Sequence, residues 1–348
     1  MVMLFARKGD FEIPRTGIST IETIELGGIA QTILIQGEDA RNPVLLMLHG
    51  GPSMPLPGVS SRSRDFAVAT ATKELVKHFT VVFWDQRGTG KSYHKSIPQE
   101  SMHIGQYVED ANELTDYLRE RFRQEKIFLA GHSWGSILGL RLASEQPHKF
   151  HFYTGLSQVI SWAENDRLSY AWTCKEAEKR GSRKAIQELE RVGQPPYTKS
   201  LEQWGVLRSW QMRFGSMIYE DAEVKHPGMK GALMLLLQSP DYTMRDVINA
   251  LYRGFQFSYS QRMIEEFAEI DFKRTAARLE IPSCFIHGRH DVHVWGQLLT
   301  DYLADVETDY AKQLYWLEKS SHLFHPDDAK RVEQIFIDEV RPAADIHI

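Results

Sequence analysis

Cysteine is scarce: Cys174 and Cys284 are the two in 348 residues. Two thiols build no disulfide framework, which excludes a small stapled secreted scaffold. Cys284 lies inside an apolar strand-like run and reads as a buried free thiol in a reducing compartment. Long apolar runs are missing too. The longest interior one, Ala232 to Leu237, falls far short of the ~20 residues that a spanning helix needs. The N-terminal run Met1 to Phe5 is too short for a signal peptide, and its charges at Arg7 and Lys8 follow instead of preceding it. No block of single-sign charge occurs. The 41 basic and 46 acidic residues leave a net charge of −5, which offers no footprint for nucleic acid or an anionic membrane. Internal repeats and low-complexity tracts are also lacking. With 42% hydrophobic and 25% charged residues, the composition predicts an ordinary globular, cytoplasmic protein with no nucleic-acid or membrane partner.

The first third of the chain alternates strand-like and helix-like pieces. Thr23 to Leu26 and Thr32 to Ile35 flank Gly27-Gly28 and predict a hairpin. Val44 to Leu48, Thr80 to Trp84, Ile127 to Ala130 and Phe152 to Leu156 are short apolar runs typical of buried strands. Ile104, Tyr107, Val108, Ala111, Leu114 and Leu118 mark a helix over 104–122. After residue 157 the alternation stops. The following stretch is helix-like, rich in Trp and Tyr, and interrupted by Pro195-Pro196, Pro227-Gly228 and Pro240. Alternation resumes at Ser283 to His287 and Leu314 to Leu317, and Pro326-Asp327-Asp328 starts a final helix. The expected architecture is an α/β core, residues 1–157 and 270–348, with a mostly parallel central sheet. A helical cap, residues 158–269, is inserted after the sixth strand; it amounts to roughly one small domain.

One pentapeptide carries the chemistry. Gly131-His132-Ser133-Trp134-Gly135 lies between the strand-like Ile127 to Ala130 and the helix-like Ile137 to Ala143. Strand, sharp turn and helix put a serine hydroxyl at the apex, and the two glycines let strand and helix approach closely. A serine needs a base within reach, an acid to orient that base, and donors for the oxyanion. When a serine sits on such an elbow, the acid and the histidine follow it in that order. Asp291 ends the strand-and-loop Cys284 to His290, where ligand sites of open α/β sheets form. The strand after the nucleophile helix runs into Gly155-Leu156-Ser157-Gln158 and offers no carboxylate there. His293, His322, His325 and His347 follow Asp291. His293 is too near Asp291, His347 is at the tail, and His325 abuts Pro326 and reads as a helix start. His322, on the loop after Leu314 to Leu317, is the expected base. His49-Gly50-Gly51-Pro52 follows a strand, and its glycines free backbone N–H groups for an oxyanion; the Trp134 N–H is the second donor.

Asp85-Gln86-Arg87-Gly88-Thr89-Gly90-Lys91-Ser92 looks like a phosphate loop, but Asp85 stands where its first glycine belongs. A structural turn above a buried Arg–Asp network is the expectation.

Together, His49-Gly50-Gly51-Pro52, Asp85-Gln86-Arg87-Gly88-x-Gly90-x-Ser92, Gly131 to Ser136, Gly288-x-x-Asp291 and His322 resemble the prolyl aminopeptidase (proline iminopeptidase) family of α/β-hydrolases. The resemblance implies Ser133, Asp291 and His322 as triad, with Gly51 and Trp134 giving the oxyanion N–H groups. Gly50, Trp210 and Phe214 are the expected substrate-contacting positions. The chain also departs from the family. Ser53 follows Pro52 where the family has glycine. The family's Trp-x-x-Trp-Glu run, whose glutamate helps hold the substrate's amino group, corresponds here to Trp210-Gln211-Met212-Arg213-Phe214. A cation there repels an ammonium, which leaves Glu164, Asp166 and Glu220 as substitute carboxylates. The expected protein is a serine hydrolase that cleaves a small amide or ester, from a small molecule or short peptide, through an acyl-enzyme, with no cofactor and no metal. A carboxylesterase or lactonase for small apolar substrates shares this machinery, and a non-catalytic ligand receptor is the alternative of another class. Dehalogenase and epoxide hydrolase relatives use a carboxylate nucleophile where Ser133 stands.

Overall fold

Gly27 and Gly28, with φ of 53° and 73°, close a two-residue turn between β1 (Ile18–Leu26) and β2 (Ile29–Gly37). Positive φ at both central residues matches the twist of the flanking strands. A computed structural model describes residues 8–345; the run Met1 to Phe5 and His347 lie outside the described residues. The hairpin joins a sheet completed by β3 (Val44–Leu48), β4 (Thr80–Asp85), β5 (Ile127–His132), β6 (Phe150–Leu156), β7 (Ser283–Gly288) and β8 (Lys312–Leu317). The strand order is β1-β2-β4-β3-β5-β6-β7-β8. The β1/β2 and β2/β4 pairs are antiparallel, and all others are parallel. Strands β3, β4, β5 and β7 are buried at every position, as expected where helices cover both faces of a parallel sheet.

Around the sheet lie α1 (Leu75–His78), α2 (Ile104–Phe122) and α3 (Trp134–Glu145). Helix α2 turns Tyr107, Val108, Ala111, Leu114 and Leu118 inward, each large side chain contributing about 1.5–3 kcal/mol of burial. Arg123, at φ 54°, ends it.

Between β6 and Asp271 the insertion carries α4 (Trp162–Lys179), α5 (Arg183–Val192), α6 (Leu201–Arg213), α7 (Gly228–Leu237), α8 (Met244–Ile248), α9 (Gly254–Ser258) and α10 (Gln261–Ala268). Helices α4, α5, α6 and α10 each start on a serine whose hydroxyl accepts a first-turn N–H, an interaction worth about 1 kcal/mol. Trp162 stacks on Phe267 at 4.1 Å, and Trp204 on Tyr259 at 4.8 Å; Phe267 also meets Trp134 of α3 edge-on at 5.7 Å, so the insertion's aromatics extend the core on that face of the sheet. A bridge between Ser161 and Asp271 closes its neck. Helix α11 (Phe272–Thr275) leads into β7, α12 (Gly296–Asp305) links β7 to β8, and α13 (Pro326–Ile335) follows β8. No helix among the described residues is long and apolar enough to cross a membrane.

The chain runs from β3 to β4 on one side and returns to β5 on the other. That reversal puts a topological switch point at the carboxyl ends of β3 and β5, the usual ligand position in such sheets.

Candidate active site

Ser133 stands at that switch point, between β5 and α3, at φ 53° and ψ −115°. Few non-glycine residues adopt this region, and the turn holds the serine there because both flanks are crowded. A Cβ on Gly131 would lie 2.3 Å from the Gly135 carbonyl oxygen, and one on Gly135 2.2 Å from that of Leu48. The Ser133 N–H donates to the Leu156 carbonyl at 2.9 Å, locking the turn to β6.

Three side chains from three distant loops meet here. His322 Nε2 lies 2.9 Å from Ser133 Oγ, and His322 Nδ1 lies 2.9 Å from Asp291 Oδ2. A carboxylate only accepts, so Nδ1–H donates to Asp291 and Nε2 is left as an acceptor facing the Ser133 hydroxyl. Asp291 Oδ1 accepts the N–H groups of His293 and Val294 at 2.8 and 2.9 Å. Burial pushes this carboxyl up, but the His322 charge and hydrogen bond, together with His287 and the Val294 N–H, hold it well below the usual carboxylate range. Asp291 is therefore held ionised beside His322. His325, by contrast, caps α13: its Nδ1 accepts the Asp327 N–H at 3.1 Å.

The loop after β3 presses on Ser133. A Cβ on Gly50 would come within 3.4 Å of the Ser133 Cβ. Gly51 has φ 123°, and a Cβ on it would lie 2.3 Å from the Ser53 nitrogen, so a side chain is excluded there. His49 Nδ1–H donates to the Gly50 carbonyl at 2.6 Å, and its Nε2 accepts the Gln86 N–H at 3.2 Å. Gln86 continues the chain, with its Nε2 on the His49 carbonyl and its Oε1 accepting the Trp134 indole N–H. The phosphate-loop look-alike thus braces the serine elbow: Gln86 links the glycine loop to Trp134. Asp85 accepts the N–H groups of Val59 and Lys91 and the Tyr242 hydroxyl, and below it Arg87 pairs with Asp110.

Trp210 and Phe214 have their partners inside the insertion. Trp210 donates its indole N–H to Glu188 of α5 and packs on Phe214, while Arg180 at the end of α4 lies over the Phe214 ring. Arg213 is exposed and stacks over Trp210. The buried cation of the insertion is Arg208, paired with Asp166 and flanked by the Trp162 and Trp204 rings. Glu164 lies 3.5–3.6 Å from Arg167 and Lys273, and Glu220 is exposed. Arg208 gives no signal in the sequence because a helical arginine ordinarily reads as surface charge.

A cluster of neutral histidines surrounds the site. Burial lowers His49 to about 4 and, with the neighbouring His322 charge, His132 to about 3. His287 and His293 are lowered too, first by burial. Between these values and the free-histidine 6.5, the unfolded chain binds more protons than the folded one, so stability is complete above about 6.5 and declines as pH falls. Asp85 acts oppositely: burial raises it to about 6 from 3.8, which favours the folded state as pH drops through that range. Burial also raises Asp166 and Glu333 and lowers His103, His151 and His226, so seven lowered histidines stand against three raised carboxylates. Thermal unfolding followed from pH 7 to 4.5 is expected to show a steadily falling midpoint; a flat or rising midpoint contradicts neutral burial of the cluster.

The sequence profile of the α/β-hydrolase fold family matches residues 43–294. A probable aminopeptidase, YbaC of Bacillus subtilis (strain 168), is 30% identical over 317 residues, covering 90% of this chain and 94% of that protein. Among solved structures, a proline iminopeptidase-related protein of Thermus thermophilus aligns at TM-score 0.59 and 17% identity, over 94% of this chain and 98% of that one. The epoxide hydrolase VrEH1 of Vigna radiata aligns at TM-score 0.53 and 19% identity, over 93% and 98%. The last two likenesses concern the fold alone. From the sheet order, the serine elbow at the end of β5 and the family match across residues 43–294, this chain belongs to the α/β-hydrolase fold family.

Proposed function

We propose that this protein is a serine hydrolase that cleaves a small amide or ester through an acyl-enzyme, with aminopeptidase activity as its leading specificity. The carrying observation is the His322 imidazole, 2.9 Å from both Ser133 Oγ and Asp291 Oδ2. Ser133 Oγ attacks the scissile carbonyl carbon as its proton passes to His322 Nε2. The carbonyl π pair moves onto oxygen, and the N–H groups of Gly51 and Trp134 receive that oxyanion. Collapse re-forms the carbonyl and breaks the bond to the leaving group, which takes the proton from Nε2. Water then repeats the sequence on the acyl-enzyme and regenerates Ser133. Asp291 stays ionised throughout and stabilises the imidazolium. The helical insertion serves as the cap that admits the substrate.

The aminopeptidase reading is supported by the resemblance to YbaC. A carboxylesterase reading draws on a different observation: Asp166, the buried carboxylate of the insertion, is already paired with Arg208 and so is a poor anchor for an ammonium. A panel separates the two. An aminopeptidase is expected to cleave an unblocked prolyl arylamide and to lose that activity on the N-acetylated form; turnover of short acyl esters alone overturns it. Fluorophosphonate labelling of Ser133 is expected in either case, and its absence favours a receptor.

A further inference from the structure

Two peptide units bind the carboxylate of Asp291, and both are held from behind by the insertion. The Val292–His293 peptide gives its N–H to Asp291 Oδ1 at 2.8 Å, while its carbonyl accepts Gln211 Nε2–H at 2.7 Å. The His293–Val294 peptide gives its N–H to the same oxygen at 2.9 Å, while its carbonyl accepts Asn165 Nδ2–H at 3.0 Å. Each forms a chain of side-chain amide, peptide and carboxylate, in which every hydrogen bond polarises the next. A trans peptide is rigid, so fixing its carbonyl oxygen fixes the direction of its N–H.

The two amides are themselves anchored. Asn165 Oδ1 accepts the Trp295 N–H at 2.9 Å, so one side chain brackets the acid loop from residue 293 to 295. Gln211 Nε2 also donates to Ser169 Oγ at 3.1 Å, and its Oε1 accepts from Arg208 at 2.8 Å. Ser169 Oγ in turn accepts the Trp295 indole N–H at 3.1 Å. Asn165 and Gln211 are buried, and they come from α4 and α6 rather than from the sheet that carries the triad. In this site orientation and electrostatics are the same problem, because Asp291 must hold the His322 tautomer that leaves Nε2 free to accept.

We propose that Asn165 and Gln211 are positioning residues: through the Val292–His293 and His293–Val294 peptides they orient the Asp291 carboxylate, so that the helical insertion is part of the catalytic apparatus. This rests on the serine-hydrolase reading. Supporting groups of this rank typically contribute roughly 10- to 100-fold to activity, and because the interaction acts on the transition state the loss falls on kcat.

The test uses the full-length protein with its best ester or amide substrate, and fluorophosphonate titration to count active sites. Asn165→Asp is isosteric and still accepts the Trp295 N–H, but it cannot donate to the His293 carbonyl. Gln211→Met keeps the volume and removes the donor. Each is expected to lower kcat per titrated site roughly 10- to 100-fold with KM changed less than about threefold. Ser169→Ala, a milder change that removes the anchor behind Gln211, is expected to lower kcat less and to remain informative if the other two fail to fold. A merely structural role lowers the number of titratable sites and leaves kcat per site untouched. Variants with kcat per site at the wild-type value overturn the positioning proposal alone. A wild-type protein that takes no label and turns over no substrate overturns the hydrolase reading beneath it.

Discussion

Ser133→Ala is expected to lower kcat on the best ester or amide substrate by about 10⁴- to 10⁶-fold, with a residual rate still above that in water. In the proposed mechanism the hydroxyl oxygen forms and breaks the acyl bond, and among the described residues no other hydroxyl is hydrogen-bonded to His322 Nε2. The fold is expected to survive. Ser133 Oγ bonds to the His322 imidazole, and alanine carries the same Cβ into the same strained φ. His322→Ala is expected to cost about as much. The double variant Ser133→Ala/His322→Ala is expected to cost no more than either alone, because groups that act as one unit are not additive. Steady-state turnover, with circular dichroism to confirm folding, checks both statements. Full activity in Ser133→Ala sinks the mechanism, and clean additivity in the double variant removes His322 from its role as the serine's base.

Much of this architecture is legible in the sequence because it is local. Val44 to Leu48 and the span 104–122 coincide with β3 and α2, since a strand buried on both faces and an amphipathic helix each leave an unambiguous pattern. Other strands outrun their apolar stretches at polar ends: β1 begins at Ile18 and includes Ser19 and Glu22, and β8 begins with exposed Lys312 and Gln313. Hydrogen bonding to a neighbour extends a strand past its apolar stretch, and that neighbour is not encoded locally. The order serine, acid, histidine points to Ser133, Asp291 and His322 because each follows a strand at the same end of the sheet. Asn165, Gln211 and Arg208 offer no such signal. They are polar residues on helices, indistinguishable from a solvated face, and the groups Asn165 and Gln211 hold on the acid loop are backbone carbonyls of a distant segment. For the same reason a motif alignment leads to Trp210, Arg213 and Phe214, while the buried cation sits at Arg208, earlier on α6.

Arg87→Met carries the largest expected loss of stability, about 3–5 kcal/mol, measured by urea unfolding. Arg87 and Asp110 have side chains 1% and 0% exposed, so removing the cation leaves an ionised carboxylate out of water. Its two bonds to Asp110, from Nε and Nη2, are both 2.8 Å. Gln31 and Gln106 also donate to Asp110, and Nη2 reaches the Gly27 carbonyl at 3.0 Å. The pair explains one glycine of the hairpin turn as well, since a Cβ on Gly27 would lie 2.1 Å from Asp110 Oδ1 and 2.3 Å from Arg87 Nη2. It also decides what the Asp85 to Ser92 segment is for. The Lys91 N–H and the Ser92 hydroxyl both turn inward to Asp85, so donors that a phosphate loop aims at its ligand are spent inside the protein. Most of the loss in Arg87→Met is the penalty of a stranded charge rather than the worth of the pair. Arg87→Met/Asp110→Leu, which removes both charges, is therefore expected to recover a large part of the lost stability. Because the pair lies below Gln86 and does not touch the triad, kcat per active site is expected to stay near wild type in both variants. A double variant as unstable as Arg87→Met alone would mean that the guanidinium acts here through its shape and its carbonyl bonds, not through its charge.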